Sequence, residues 1–136
     1  MGLKIKLNSI LVDDQDKALK FYTEVLGFTK GKDFDVGGGF RWITVTATGG
    51  YPDVELVLEP NANPVGKTYQ AGLFQQNIPI TAFEVDDVEA EHTRLKSLGV
   101  VFTMPPTKMG PVSIAVLADT CGNLIQLYQV TGAVPG

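Results

Sequence analysis

The chain states one unit twice. Residues 12–28 read VDDQDKALKFYTEVLGF and residues 85–100 read VDDVEAEHTRLKSLGV. Both open on Val-Asp-Asp, run for the length of a helix, and close on Leu-Gly and an apolar residue; a gap of one residue aligns the two ends. A repeated supersecondary unit constrains the fold more tightly than composition does, because each copy must bury the same faces.

The chemistry of the two copies agrees. Asp14 and Asp87 stand where a helix N-cap accepts hydrogen bonds from otherwise unpaired amides. In the first segment Ala18, Tyr22 and Val25 fall on one stripe with Leu19 and Leu26 beside it; in the second, Val88, Leu95 and Leu98 do the same. Gly27 and Gly99 can take the left-handed conformation that ends a helix. Strand-like runs flank each helix: KIKLNSILV before the first, FRWITVTAT and DVELVLEP after it; IPITAFEV before the second, PVSIAVLAD and NLIQLYQ after it. Short strands near residues 28–33 and 101–104 complete each copy. The order β-α-β-β-β, twice, predicts an α+β protein of two βαβββ modules, about 4–60 and 78–130, within one domain covering 1–136. A connector at about 61–77, NANPVGKTYQAGLFQQN, is long for a plain link and has room for one helical turn.

Several function classes drop out. The longest apolar runs are a few residues, too short for a bilayer-spanning helix. The first ten residues, MGLKIKLNSI, lack the apolar core of a secretion signal, so the expectation is a cytoplasmic protein. The single cysteine forbids an intrachain disulfide or a cysteine-based zinc site. A net charge of -4 with scattered Lys and Arg leaves no basic surface for nucleic acid.

With DKALKFYTEVLGF, FEVDD and DTCGNLIQLYQ in view, the chain resembles the vicinal oxygen chelate superfamily, the glyoxalase, bleomycin-resistance and dioxygenase proteins. The likeness runs from about Lys4 to Gln129, and both halves carry it. It implies that the two modules curl their mixed sheets around a cup with helices outside, and that two chains pair as a homodimer. It also implies a divalent metal in that cup, held by His, Gln or Glu from the first and last strands of each module, acting as a Lewis acid on two neighbouring substrate oxygens.

The same resemblance locates the ligand places. A histidine is expected seven residues before the aspartate that opens each helix; here those positions are Leu7 and Ile80. The glutamate of the last strand becomes Gln126. The fourth place is Glu55 or Val57, between which the register is open. Strand alternation sends Leu7, Ser9, Leu11, Ile80, Ala82, Glu84, Leu124, Gln126 and Tyr128 toward the cup, together with Phe40, Trp42 and Thr44, the first two forming an aromatic wall. Val54, Leu56 and Leu58 would then pack under the helices, and Asp53 and Glu59 share a face with Glu55. Aliphatic groups and one amide make a poor cage for a transition metal, so no metal or other cofactor is expected.

The expected ligand-binding set is therefore Leu7, Ser9, Phe40, Trp42, Ile80, Gln126 and Tyr128, around a small organic molecule. Glu55 and Glu84 are the candidates for a general base or for holding a cationic group. His92, on the packing stripe of the second helix, is expected to fill space. Cys121 has no neighbour in sequence that would activate it. Lys67 in GKTYQ and Lys108 in TKMGP read as solvated loop lysines. The first reading is a metal-free binder like the bleomycin-resistance members. The alternative is a lyase or dioxygenase-type enzyme with a displaced metal site, or metal-free acid/base chemistry on Glu55 or Glu84.

Overall fold

Both helices of the repeat are capped by the aspartate that the repeat singles out. In the computed structural model, which describes residues 2–133, the Asp14 carboxylate accepts from the Lys17 amide at 2.9 Å and the Asp87 carboxylate from the Ala90 amide at 3.0 Å. Helix α1 runs over Gln15–Lys20 and continues as a π-helical turn, Phe21–Val25. That turn absorbs the one extra residue of the first copy. The Leu26 amide bonds to the Phe21 carbonyl five residues back, so Gly27 still arrives as the stop, at φ +88°. Its counterpart Gly99 has φ +89°, past the end of a regular second helix.

The chain divides into two compact units, Met1–Thr68 and Tyr69–Gly136. In the first, strands β1 (Leu7–Val12), β2 (Thr29–Gly37), β3 (Phe40–Thr46) and β4 (Glu55–Pro60) form a sheet of order β1-β4-β3-β2. Strand β1 runs parallel to β4, and the other pairs are antiparallel. Asp53 and Val54 fall in the turn before β4; Val54 is exposed instead of packed beneath a helix. Three glycines, Gly37 to Gly39, all with positive φ, make the turn from β2 to β3, a path that side chains with a Cβ rarely follow.

Helix α1 packs on β3 and β4. Arg41 reaches Asp16 of that helix, which identifies the side of β3 that faces it: Arg41, Ile43 and Val45 point to the helix, and Trp42 and Thr44 point away. Ile10, Val12, Ile43, Val45 and Leu58 join Ala18, Phe21 and Tyr22 in the buried core of this unit. Tyr22 sits edge-on to Phe21 at 5.7 Å and stacks with Phe28 at 6.4 Å. The polar groups on the helix side are mutually satisfied. Gln15 donates to the carbonyls of Arg41 and Leu58 and accepts from the Arg41 amide. Asp33 binds the Arg41 guanidinium at 3.0 Å and Lys30 at 3.1 Å, and those bonds hold its carboxyl below the usual range.

The segment after β4 folds further than expected. In place of one turn, helix α2 spans Pro64–Gln75. Asn63 caps it, its side chain accepting from the Val65 amide, and Pro64 takes the first helical position, where its missing N–H costs nothing. Lys67 therefore lies on a helix, not in a loop.

The second unit repeats the plan. Strand β5 (Thr81–Glu84), helix α3 (Val88–Ser97), and strands β6 (Phe102–Met109), β7 (Val112–Ala118) and β8 (Leu124–Val130) give the order β5-β8-β7-β6, with β5 parallel to β8. Both β2 and β6 extend well past the short strands expected from sequence. Thr107 and Lys108 consequently belong to β6, beside a hairpin turned by Gly110. His92 packs edge-on against Phe102 at 4.5 Å, as a space-filling side chain does. Val88, Leu95, Leu117, Ala115, Ile125 and Leu127 are the buried apolar layer beneath α3. Leu98 is not part of it. As the residue that ends α3 it is 55% exposed, because the helix stops before the stripe reaches it.

The turn DTCGN is a buried polar knot. Asp119 accepts from the amides of Cys121 (2.7 Å) and Asn123 (3.0 Å) and from the Asn123 side chain (2.8 Å). Gln70, also buried, donates to the Cys121 carbonyl and to the Asn123 side chain. Gly122 has φ +100° and lies so close to Gln70 that a Cβ there would collide with its amide. Cys121 is fully buried in this turn, which suits packing and not nucleophilic chemistry.

Candidate functional site

Each sheet has one face covered by its helix and one face without it, and the candidate residues sort onto the second. In the first unit the registers Leu7↔Glu55, Ser9↔Val57 and Leu11↔Glu59 place those six side chains on one face of β1 and β4. Thr44 pairs with Val57, and Trp42 with Phe34, which extends the same face across β3 and β2. Phe40 opens β3 beside the glycine turn and is 40% exposed. In the second unit the registers Ala82↔Gln126 and Glu84↔Tyr128 put those four side chains on the face opposite α3, and Val116 and Ile114 continue that face from β7. Ile80 lies just before β5 but keeps the ladder, its amide donating to the Leu124 carbonyl at 2.9 Å.

These registers close the choice between Glu55 and Val57. Leu7 and Ile80 occupy equivalent places, and their cross-strand partners are Glu55 and Leu124. Two residues further on, Ser9 stands against Val57 and Ala82 against Gln126. Val57 is the counterpart of Gln126. The places where the resemblance implies chelating residues are thus Leu7 and Val57 in the first unit and Ile80 and Gln126 in the second; among them are one amide and no imidazole, thiolate or carboxylate. Among the described residues no three of His, Cys, Asp and Glu gather into a group that could hold a metal ion.

The helix-free faces carry several polar side chains without an internal partner. Among the described residues the side chains of Ser9, Trp42, Glu84, Gln126 and Tyr128 make no hydrogen bond or ion pair. Among the described residues no buried side-chain nitrogen or oxygen lacks a partner, so the polar atoms of these five residues are open to solvent. On the α3 side, Gln129 of β8 accepts from the Val88 amide at the start of the helix.

Glu55 is the exception, and its surroundings are specific. One carboxylate oxygen accepts from the Thr44 hydroxyl at 2.8 Å, the other from the Lys32 ammonium at 2.7 Å. The Lys32 bond first, and the Thr44 bond second, hold the Glu55 carboxyl below its ordinary range. A carboxylate so stabilised is a weak base. It is better placed to hold positive charge than to remove a proton. The arrangement depends on an irregularity in β2 between Lys30 and Asp33, which turns the Lys32 amide onto the Thr44 hydroxyl at 2.8 Å. At Gly31 a Cβ would be driven into that same hydroxyl. Sequence reasoning passed over Phe34 because it ended β2 at residue 33, and over Gly31 and Lys32 because no local pattern marks the irregularity between Lys30 and Asp33. The alternation Phe34, Val36, a glycine turn, Phe40, Trp42 was the available hairpin signal. Glu84 is exposed and has no such setting.

Among the described residues no helix is long and apolar enough to cross a membrane. Residues 4–127 match the family model of the Glyoxalase/Bleomycin resistance protein/Dioxygenase superfamily. The chain is 53% identical over 127 residues to the uncharacterized protein YurT of Bacillus subtilis (strain 168), covering 93% of this chain and 99% of that one. It is 33% identical over 135 residues to a probable lactoylglutathione lyase of Vibrio parahaemolyticus serotype O3:K6, covering 92% and 89%. Among solved structures it is similar to TnmS3, an antibiotic binding protein from Streptomyces sp. CB03234, with a TM-score of 0.75, 30% identity, and coverage of 96% and 98%.

Proposed function

The chain belongs to the Glyoxalase/Bleomycin resistance protein/Dioxygenase superfamily, and from that premise we propose that it binds a small organic molecule on the helix-free sheet faces without a metal. The observation that carries the reading is the identity of the four chelating places. Leu7, Val57 and Ile80 cannot donate to a cation, and Gln126 alone supplies one neutral oxygen, well short of the three or four ligands a catalytic zinc or iron centre takes.

What the faces offer instead is adhesion. Phe34, Phe40 and Trp42 supply flat apolar area, the largest contribution a planar ligand can find. On the face of the second unit, Gln126 and Tyr128 supply an amide and a phenol with no internal partner beside the apolar Ile114 and Val116, the sparse polar groups that orient a ligand. The similarity to an antibiotic binding protein supports a sequestering role. Localisation in the cytoplasm and assembly as a homodimer are part of the same proposal.

The test uses Trp42, the only tryptophan, as its reporter. Acridone, a neutral tricyclic aromatic, is titrated against protein purified without chelator, and again after EDTA. Saturable quenching of the same strength in both, with acridone recovered unchanged, is the expected result. Binding that vanishes with EDTA, or about one equivalent of transition metal in the purified protein, refutes the reading. The probable lactoylglutathione lyase among the relatives favours a second reading, lyase activity by metal-free acid/base chemistry on Glu84, since the Lys32 ammonium makes Glu55 a weak base. Formation of lactoylglutathione by the EDTA-treated protein, lost in Glu84→Gln, would establish it.

A further inference from the structure

The small-molecule reading leaves the ligand class open, and the Lys32–Glu55–Thr44 cluster narrows it. Building on that reading, we infer that the first unit selects aromatic ligands carrying a positive charge, by exchanging the Lys32 ammonium on Glu55 for a cationic group of the ligand.

The two members of the ion pair are not equally fixed. The Glu55 side chain is 20% exposed, hydrogen-bonded to the buried Thr44, and set on the central part of the sheet. The Lys32 side chain is 56% exposed and touches the carboxylate only through its flexible end. A cation arriving at this face can take the place of Lys32, which swings into solvent at small cost because exposed ion pairs contribute little. An anion arriving there has no matching option. It would have to draw Lys32 away while Glu55 stays, leaving two negative charges side by side. Thr44 keeps one carboxylate oxygen occupied and so aims the other, the one that Lys32 holds, at the newcomer.

The aromatic part of the ligand is set by the same strand. Trp42 lies two residues from Thr44 on the same face and pairs with Phe34 across β2. A ring on Trp42 and a charge on Glu55 are then satisfied together, and the indole face itself favours a cationic ring over a neutral one. Lys6 also attracts Glu55 through space, but the carboxylate makes its short contact with Lys32, so Lys32 is the group a ligand displaces.

The test compares three acridines of similar shape, with Trp42 quenching as the readout: cationic 9-aminoacridine, neutral acridone and anionic acridine-9-carboxylate. In the unmodified protein 9-aminoacridine binds tightest and the carboxylate weakest. Lys32→Met tightens 9-aminoacridine about two- to fivefold, the value of an exposed ion pair removed from competition. Glu55→Gln, which keeps the shape and the Thr44 bond, weakens it about tenfold, as loss of a charge-assisted hydrogen bond does. Acridone responds to neither change. Weaker binding of 9-aminoacridine by Lys32→Met, or indifference to Glu55→Gln, overturns the exchange. If acridone binds while 9-aminoacridine shows no advantage over it, this inference alone fails. If none of the three quenches Trp42, the small-molecule reading fails and takes the inference with it.

Discussion

Gly31→Ala tests whether the site-face geometry is built into the backbone. The added Cβ would meet the Thr44 hydroxyl well inside contact distance and stand 3.3 Å from a Glu55 carboxylate oxygen. Thr44 is fully buried, and its β-branched side chain has few rotamers to retreat to. Overpacking of this kind costs about 1–3 kcal/mol. Moving the hydroxyl also breaks two hydrogen bonds, from the Lys32 amide and to Glu55, at about 0.5–1.5 kcal/mol each. The expected loss is about 2–4 kcal/mol, since relief of one term worsens the other. With an unfolding entropy of about 2.1 cal/mol/K per residue, a chain this long loses roughly 3–4 °C of Tm per kcal/mol. The Tm therefore falls by about 7–14 °C. A double-mutant cycle with Thr44→Ala isolates the cause. Without the hydroxyl, Gly31→Ala has little left to strike, and its cost in urea unfolding, followed by Trp42 fluorescence, drops below about 1 kcal/mol. An equal cost in both backgrounds refutes the contact as the reason for glycine here.

Three further outcomes follow from the structure. Asp33 has a folded-state pKa below its unfolded value, so its contribution to stability is present above the unfolded pKa, near 3.8, and is lost as pH falls through the depressed folded value. The stability gap between the protein and Asp33→Asn is accordingly constant from pH 7 to about pH 5 and closes in more acidic urea titrations; a gap that widens toward low pH contradicts the Arg41 and Lys30 pairing. Leu95→Ala, at 1% exposure, costs about 2–4 kcal/mol in the same assay, whereas Leu98→Ala stays within about 0.5 kcal/mol, although both lie on one helical stripe. Cys121 resists Ellman's reagent in the folded protein and reacts fully in urea; rapid labelling without denaturant would place the DTCGN turn at the surface.

Much of this fold is legible in the sequence because its signals are local. An aspartate before an apolar stripe and a glycine after it mark a helix wherever they occur, and strand alternation assigns faces without knowledge of the partner strand. Helix α2 escaped because its glycines and proline read as loop residues. Gly66 and Gly72 are weak helix formers, and Pro64 reads as a breaker unless Asn63 is recognised as the cap that makes it a first-turn residue. Leu98 was assigned to the core by a period that the helix does not live long enough to complete.

The candidate site was legible to the level of faces and no further. Parity alone puts Glu55 and Val57 on one side of β4; choosing between them requires the pairing of β1 with β4 and of β5 with β8, a long-range register that no local pattern carries. The state of Glu55 is hidden more deeply. Sequence reasoning can offer it as a base, because an unpaired carboxylate on an apolar face would be one. Lys32 changes that, and Lys32 arrives only through the irregularity in β2 that Gly31 permits. A glycine inside a strand normally weakens it. Here it is the residue that lets a backbone amide and an ammonium group converge on Thr44 and Glu55, so the least conspicuous position in the cluster decides whether the face presents a base or an anchored negative charge.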